Sequence, residues 1–196
     1  MFWSLAGGQL VGKRGVLTKP EGDESETTLK MQTMLSVAFG ADDVTFTGSM
    51  SGDVYVWQHQ QMIRLVQKAH NGPVFTLFTT LTDGLIVSGG KEKGNLKDGG
   101  SVKLWDQEMK RCRSFNLGSG SAVDVVKSVC RQKGNILVGT KSGDIYDITE
   151  KSSSSQVVVN SHTEGEIWGL CAHPEKDVFV TGSDDKTVRL WDLTKK

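Results

Sequence analysis

The sequence predicts an all-β fold made of about four small antiparallel sheets, and three observations support it. The 196 residues include 23 glycines against 3 prolines, which is typical of short strands joined by tight turns. Apolar and polar residues alternate in short runs, as in half-buried strands. The same turn-and-strand pattern also recurs along the chain, and its repeats close, at spacings of 48, 43 and 43 residues, on Trp57, Trp105, Ile148 and Trp191.

Each repeat divides into an inner, a middle and a third strand, followed by an outer strand. The first three strands of each repeat are predicted near 34–39, 43–48 and 53–57; 73–78, 84–89 and 101–105; 123–129, 135–139 and 144–148; and 166–171, 177–182 and 187–192. Outer strands are predicted near 14–18, 61–66, 111–117 and 156–159.

The sheets are predicted to stack face to face around an axis, because one small sheet cannot bury both of its faces alone. This radial repetition is a β-propeller. At roughly 40–45 residues per blade, 196 residues hold four blades and a remainder. Four blades would have to turn about 90° each to close a ring, instead of about 51° in a sevenfold one. The sequence therefore predicts an incomplete, open ring with two exposed blade faces.

Two repeats carry a histidine before the inner strand and Trp-Asp at the end of the third strand. Ala69-His70 goes with Trp105-Asp106, and Ser161-His162 goes with Trp191-Asp192. These pairs resemble the Gly-His and Trp-Asp signals of the WD-repeat family. The resemblance implies structural hydrogen-bonded tetrads, since a buried imidazole or indole N–H without a partner costs about 1–3 kcal/mol. In the fourth repeat the tetrad would comprise His162, Thr181, Asp185 and Trp191.

The other repeats depart from this pattern. The second keeps His70, Ser88 and Trp105 but has Gly99 where the aspartate is expected. The first and third repeats lack the histidine and have Ser-Gly-Asp turns instead. Packing is therefore expected to contribute more than a tetrad to the first and third blades.

A closer resemblance covers nearly the whole chain. Phe2-Trp3-Ser4-Leu5, 13–17, 34–39 and 47–57 together resemble echinoderm microtubule-associated protein-like proteins, as does the histidine-free blade at 138–148. The resemblance implies a non-enzymatic scaffold of the cytoplasm and cytoskeleton that binds tubulin or microtubules. The alternative is a WD-repeat scaffold of some other complex, without tubulin affinity.

This resemblance also indicates part of a longer chain. Residues 1–5 are predicted to end a preceding blade, and the repeats are predicted at 14–57, 58–106, 107–148 and 149–193. The family's heptad pattern and the hydrophobic motif that opens its first propeller are not found in this sequence. The missing blades of the parent chain are therefore expected partners.

No motif predicts catalytic, cofactor-binding or metal-binding residues. The stretch 7–14 approaches a phosphate-binding loop, but Arg14 stands where a hydroxyl residue is required. Cys171 and His173 are close in sequence, yet no second pair at zinc spacing accompanies them. His70 and His162 are already explained by the tetrad pattern, and His59 lies in a polar turn.

Composition indicates a soluble, non-secreted protein. Lys+Arg and Asp+Glu are equal at 23 each, so no overall field favours nucleic acid or an anionic membrane. The longest aliphatic runs, 85–87 and 157–159, are far shorter than the roughly 18 residues of a membrane span. Three widely spaced cysteines, Cys112, Cys130 and Cys171, suggest reduced cytosolic thiols.

Positive charge is nevertheless concentrated locally. Between residues 101 and 133 seven basic residues face three acidic ones; the basic ones are Lys103, Lys110, Arg111, Arg113, Lys127, Arg131 and Lys133. This patch would attract the acidic tails of tubulin, although a solvated, protective rim on outer strands is the favoured interpretation. Trp168 is a possible partner-facing anchor, with core packing as its preferred role.

Overall fold

The computed structural model describes residues 1–17, 31–92, 101–117, 125–162 and 166–195. These residues form seventeen β-strands, and no α-helix occurs among them. The fold class predicted from the sequence is confirmed. The described residues likewise contain no helix that is long and apolar enough to cross a membrane.

The strands form one two-stranded hairpin and four larger sheets, each of which pairs its strands antiparallel in chain order. The N-terminal hairpin contains β1 (Phe2–Ala6) and β2 (Gln9–Lys13). Sheet 1 contains β3 (Met34–Phe39), β4 (Val44–Ser49), β5 (Val54–Gln58) and β6 (Gln61–Val66). Sheet 2 contains β7 (Val74–Thr80), β8 (Leu85–Gly90), β9 (Val102–Trp105) and β10 (Arg111–Phe115). Sheet 3 contains β11 (Val126–Gln132), β12 (Asn135–Thr140), β13 (Ile145–Thr149) and β14 (Ser154–Val159). Sheet 4 contains β15 (Ile167–Ala172), β16 (Val178–Ser183) and β17 (Val188–Asp192).

One irregularity is shared by the first strand of all four sheets. In each, the register against the second strand shifts near its start, which is the effect of a β-bulge. The residues on either side of the shift are Met34 and Ser36, Val74 and Thr76, Val126 and Ser128, and Ile167 and Gly169. The sheets can therefore be compared position by position, because the same shift recurs in each.

Two apolar layers hold sheets 1, 2 and 3 together. One layer joins sheet 1 to sheet 2 and includes Phe46, Val74 and Trp105. The other joins sheet 2 to sheet 3. In this second layer the sheets approach so closely that a Cβ on Gly89 would lie 2.4 Å from Val126 Cγ1. Glycine is therefore required at that strand position.

Arginines link the same sheets at their outer strands. The Arg64 guanidinium on β6 donates to the carbonyl oxygen of Glu108 in sheet 2. The Arg113 guanidinium on β10 donates to the carbonyl oxygen of Glu150 after β13 of sheet 3. On β14 of sheet 3 the residue equivalent to Arg113 is Gln156. Arg113 pairs with Leu104 of its third strand, and Gln156 pairs with Asp147, which holds the same position in the third strand of sheet 3. The contact between sheets 3 and 4 therefore lacks the arginine.

Sheet 4 is packed less closely than the other three. Every residue of β15 is exposed. Gly139 of sheet 3 corresponds to Gly89, but among the described residues a Cβ added to Gly139 would have only Ser128 of its own sheet within 4 Å. Sheet 4 is therefore only loosely packed on sheet 3. The described sheets remain five separate, open sheets, which agrees with the predicted incomplete ring.

The N-terminal region differs from the prediction. An outer strand is predicted near 14–18, but β2 lies at Gln9–Lys13, and Val16 forms only an isolated bridge to Gln61. Gly7 and Gly8 have φ angles of 58° and 78° and make the two-residue turn between β1 and β2. The stretch that approaches a phosphate-binding loop in sequence is therefore a hairpin turn and its second strand. Residue 18 lies outside the described residues.

Candidate interaction surfaces and the histidine networks

The four residues singled out in the fourth repeat lie together in sheet 4. His162 Nε2 is 2.7 Å from Thr181 Oγ1, which also accepts the indole N–H of Trp191 at 2.8 Å. His162 Nδ1 is 2.8 Å from Asp185 Oδ2. Burial disfavours the ionised carboxyl, yet hydrogen bonds from Thr187 and His162 hold the pKa of Asp185 below its ordinary value. The network thus joins β16, β17 and the turn between them to the segment before β15.

A second network surrounds His70 in sheet 2, and its carboxylate is not the one expected. His70 Nε2 is 2.7 Å from Ser88 Oγ, which accepts the Trp105 indole N–H at 2.8 Å. The carboxylate 2.8 Å from His70 Nδ1 belongs to Glu92. The pattern of the family points to position 99, whose glycine lies outside the described residues. Sequence reasoning missed Glu92 because it counted back from Trp105 across an insertion that follows Glu92. A signal was present, since Glu92 stands four residues after Ser88 as Asp185 stands four residues after Thr181.

Glu92 also neutralises a buried lysine. Lys103 Nζ lies 2.9 Å from Glu92 Oε1 and donates to the carbonyl oxygen of Ala69 at 2.7 Å. Burial lowers the pKa of His70, so the ring is neutral at pH 7 and donates through Nδ1 to the carboxylate. Burial raises the pKa of Glu92, but hydrogen bonds from His70 and Lys103 outweigh this effect and lower it overall.

Sheets 1 and 3, whose repeats have no such histidine, carry aspartates in their Ser-Gly-Asp turns. In sheet 1, Asp53 Oδ1 accepts the backbone N–H of Lys68 at 2.8 Å. In sheet 3, Asp144 Oδ1 accepts the backbone N–H of Ser161 at 2.9 Å. Sheet 1 also keeps the tryptophan contact, since Trp57 Nε1 donates to Thr47 Oγ1 at 2.8 Å. Each Ser-Gly-Asp turn therefore links its third strand to the segment that enters the next sheet.

The basic patch predicted from the sequence is only partly a surface. Lys103 is buried in the His70 network. Arg131 is buried between sheets 2 and 3, where it pairs with Glu150 at 2.5 Å and with Asp83 at 2.6 Å. These two residues therefore do not belong to the predicted partner-binding patch, because internal carboxylates satisfy both charges.

The remaining five basic residues are exposed along β10, β11 and the adjoining turns; they are Lys110, Arg111, Arg113, Lys127 and Lys133. Lys110 Nζ pairs with Glu108 at 2.6 Å. Lys127 Nζ lies 3.4 Å from the centre of the Phe75 ring, a cation–π contact. These contacts leave a basic rim that is weaker than the sequence count suggests.

Trp168 is 74% exposed on β15, and its indole N–H donates to Asp184 Oδ1 at 2.7 Å. Its exposure differs from the core packing preferred from the sequence. Close by in sequence, His173 Nδ1 accepts the backbone N–H groups of Glu175 and Lys176. Among the described residues no cluster of His, Cys, Asp and Glu could hold a metal ion.

An apolar cavity of about 440 Å³, which the sequence did not predict, lies between the N-terminal hairpin and sheet 1. Phe2 of the hairpin packs edge-on against Trp57, with ring centres 5.4 Å apart. Trp3, Val37 and Phe39 line the cavity. A signal for the hairpin is present in the sequence, because Gly7-Gly8 between two short strand-like runs is a hairpin motif.

Comparison with known proteins finds one matching family model and several similar proteins. The family model "WD domain, G-beta repeat" matches residues 153–192. The 77 kDa echinoderm microtubule-associated protein of Lytechinus variegatus is 34% identical over 98% of this chain, which covers 26% of that protein. The echinoderm microtubule-associated protein-like 2 of Mus musculus is 33% identical over 97% of the chain, which covers 27% of that protein.

One solved structure supports the fold alone. The computationally designed Ika4 protein matches 93% of this chain and 99% of its own, with a TM-score of 0.51 and 20% identity. The sequence relatives are much longer, since the chain spans about a quarter of their length. The chain therefore contains a WD repeat at residues 153–192 and is similar, over nearly its whole length, to members of the echinoderm microtubule-associated protein family.

Proposed function

We propose that the chain is a non-enzymatic protein-interaction scaffold that binds tubulin or microtubules as part of a larger microtubule-associated protein. One observation carries the proposal: relatives aligned over 97–98% of the chain are named as microtubule-associated proteins. Cytoplasmic and cytoskeletal localisation follows from the same proposal. Blades supplied by the rest of a longer chain would complete the scaffold.

The use of the histidines favours a scaffold over an enzyme. Both ring nitrogens of His70 have partners within 2.8 Å, and so do those of His162. A general base needs a free ring nitrogen that can reach a substrate proton. These rings instead hold strands together.

The exposed basic rim supports contact with an acidic partner. Lys110, Arg111 and Lys133 project from outer strands and turns of sheets 2 and 3. Each exposed pair with an acidic tail would contribute about 0.2–1 kcal/mol, and salt would weaken it. Several such pairs are needed for measurable affinity.

A second candidate is a WD-repeat scaffold of another complex with no tubulin affinity. It is favoured by the burial of Lys103 and Arg131 against internal carboxylates, which removes two of the seven charges predicted to attract tubulin. Under this candidate the basic rim would only prevent the exposed outer strands from pairing with strands of other molecules.

Co-sedimentation with stabilised microtubules tests the proposal. We expect binding at about 0.01 M salt, where the Debye length is about 30 Å, and weaker binding at about 0.15 M, where it is about 8 Å. Lys110→Glu should weaken binding about twofold to fivefold. The matched control is Lys176→Glu, which changes the net charge equally on exposed sheet 4. If neither this chain nor a longer chain of the length of its relatives binds microtubules at low salt, the second candidate is favoured.

A further inference from the structure

The junction between sheets 3 and 4 differs from the two packed junctions at one position of the third strand. In sheets 1 and 2 this position holds Val56 and Leu104, which are 4% and 5% exposed and belong to the apolar layers shared with the next sheet. In sheet 3 it holds Asp147. The three residues are equivalent in register, because each pairs with the third residue of its second strand. A carboxylate therefore stands where the packed junctions have an aliphatic side chain.

The carboxylate of Asp147 has no partner to offset its burial. Its Oδ1 atom is buried and makes no hydrogen bond within the part of the chain that the structure describes. The neighbouring strand supplies no cation, because Gln156 stands where Arg64 and Arg113 stand in sheets 1 and 2. Burying an ionised carboxylate without a cation or hydrogen bonds is strongly unfavourable. Asp147 therefore opposes a closer approach of sheet 4.

The apolar side chain that would cover this position is present in sheet 4 but stays exposed. Leu77 of sheet 2 and Val129 of sheet 3 are each 8% exposed, because each belongs to the apolar layer with the preceding sheet. Leu170 holds the same place on β15, after the shared bulge. It is 74% exposed, and Leu137 of sheet 3, which pairs with Asp147, is 45% exposed. Both walls belong to consecutive sheets of this chain and do not close on each other.

Sheet 4 is nevertheless held to sheet 3 at one end of the junction. The backbone N–H of Ser161 donates to Asp144 Oδ1 of sheet 3 at 2.9 Å. On the other side, the Arg189 guanidinium of β17 donates to the carbonyl oxygen of Asn160 at 2.7 Å, and the His162 network joins the next residue to β16. This short segment therefore connects two sheets whose apolar faces do not meet.

We propose that sheet 4 is a lid, hinged on residues 160–162, that the charge of Asp147 holds away from sheet 3. Removal of this charge lets the lid close, so that Leu170 packs on Leu137 as Leu77 packs in the layer between sheets 1 and 2. Closure of this kind needs backbone changes at only a few connecting residues. The proposal does not depend on microtubule binding.

The thiols of the chain report on closure. Cys130 of β11 lies in the same cross-strand row as the carboxylate, on the face of sheet 3 that is directed at sheet 4. Cys130 is exposed, whereas Ala38 at the equivalent position of sheet 1 is 8% exposed because sheet 2 covers it. Cys112 and Cys171 are exposed as well. Both are internal references, because Cys112 lies on β10 and Cys171 follows Leu170 on β15 and points to the opposite side.

Alkylation of the full chain, followed by digestion and mass spectrometry, measures the accessibility of each thiol. Asp147→Leu should slow alkylation of Cys130 at least about tenfold relative to Cys112 and Cys171, from the apolar surface that closure buries. The matched control is Asp177→Leu, the same change at an exposed aspartate before β16, and it should leave the Cys130 rate unchanged. Circular dichroism checks that each variant is folded.

A second variant separates closure of the lid from local shielding by the new side chain. Asp147→Leu/Leu170→Asp moves the carboxylate to the opposite wall and should return Cys130 to its wild-type rate. Equal slowing in the double variant would overturn the proposal, because the side chain at position 147 would then protect the thiol by itself. An unchanged Cys130 rate in folded Asp147→Leu would also overturn it. So would a wild-type chain in which Cys130 already reacts at least about tenfold more slowly than Cys171, because the lid would then be closed with the charge in place.

Discussion

Replacing Glu92 with alanine should destabilise the protein by about 3 kcal/mol or more. Glu92 is buried and accepts hydrogen bonds from His70 Nδ1 at 2.8 Å and from Lys103 Nζ at 2.9 Å. Its removal leaves a buried ammonium group without its counter-charge and an imidazole N–H without an acceptor. Removing one partner of a buried pair costs about 3–5 kcal/mol. The lower end applies here, since Lys103 keeps the carbonyl oxygen of Ala69.

Thermal unfolding followed by tryptophan fluorescence would measure this effect. For a chain of this size 1 kcal/mol corresponds to about 2–4 °C, so the midpoint should fall by about 6–12 °C. Glu108→Ala is the matched control, because Glu108 is exposed and its carboxylate pairs with exposed Lys110; its cost should stay below about 1 kcal/mol. The double variant Glu92→Ala/Lys103→Met removes both charges and should cost at least about 1 kcal/mol less than the two single changes added.

A Glu92→Ala variant as stable as Glu108→Ala would refute the reasoning. It would mean that Glu92 is not the carboxylate partner of His70. The expected ranking tests whether Glu92 holds the network together, because only then does the chain lose more stability from Glu92→Ala than from Glu108→Ala.

Two further predictions concern packing and pH. Gly89→Ala should destabilise the chain by about 1–3 kcal/mol through overpacking, since the added Cβ would lie 2.4 Å from Val126 Cγ1. The control is Gly182→Ala at the matching position of sheet 4, which has open space around it and should be nearly neutral in the same thermal melts. Equal losses of stability in the two variants would contradict the close packing of sheets 2 and 3. Asp185→Asn should lower stability at pH 7. The pKa of Asp185 is lowered in the folded chain, so its contribution is present above the unfolded value of about 3.9 and is lost as the pH falls from there toward the lower folded value. The gap between wild type and variant should therefore narrow in melts from pH 7 to about pH 3, and a gap independent of pH would argue against an ionised Asp185.

Much of the fold was predictable because it depends on local patterns. The strand predicted at 34–39 is β3, and the outer strand predicted at 61–66 is β6, with the same bounds. Alternating residues and turn glycines determine such strands with little help from distant contacts. The start of the chain is less clear in sequence, since Gly7-Gly8 also fits the beginning of a phosphate-binding loop.

The candidate sites were less predictable because burial depends on distant residues. Lys103 and Arg131 look like surface charges in the sequence, but Glu92 and Glu150 reach them from other segments. Trp168 is expected in a core from its strand position, yet sheet 3 does not cover β15. Neither result could be derived from spacing alone.

The repeated antiparallel sheets, their strand order and the histidine and tryptophan positions can all be derived from the amino-acid order, because each depends on residues close together in the chain. The burial of two basic residues and the covering of each sheet face follow instead from three-dimensional packing. Those outcomes depend on how closely neighbouring sheets approach, as Gly89 on Val126 and the exposed Leu170 show.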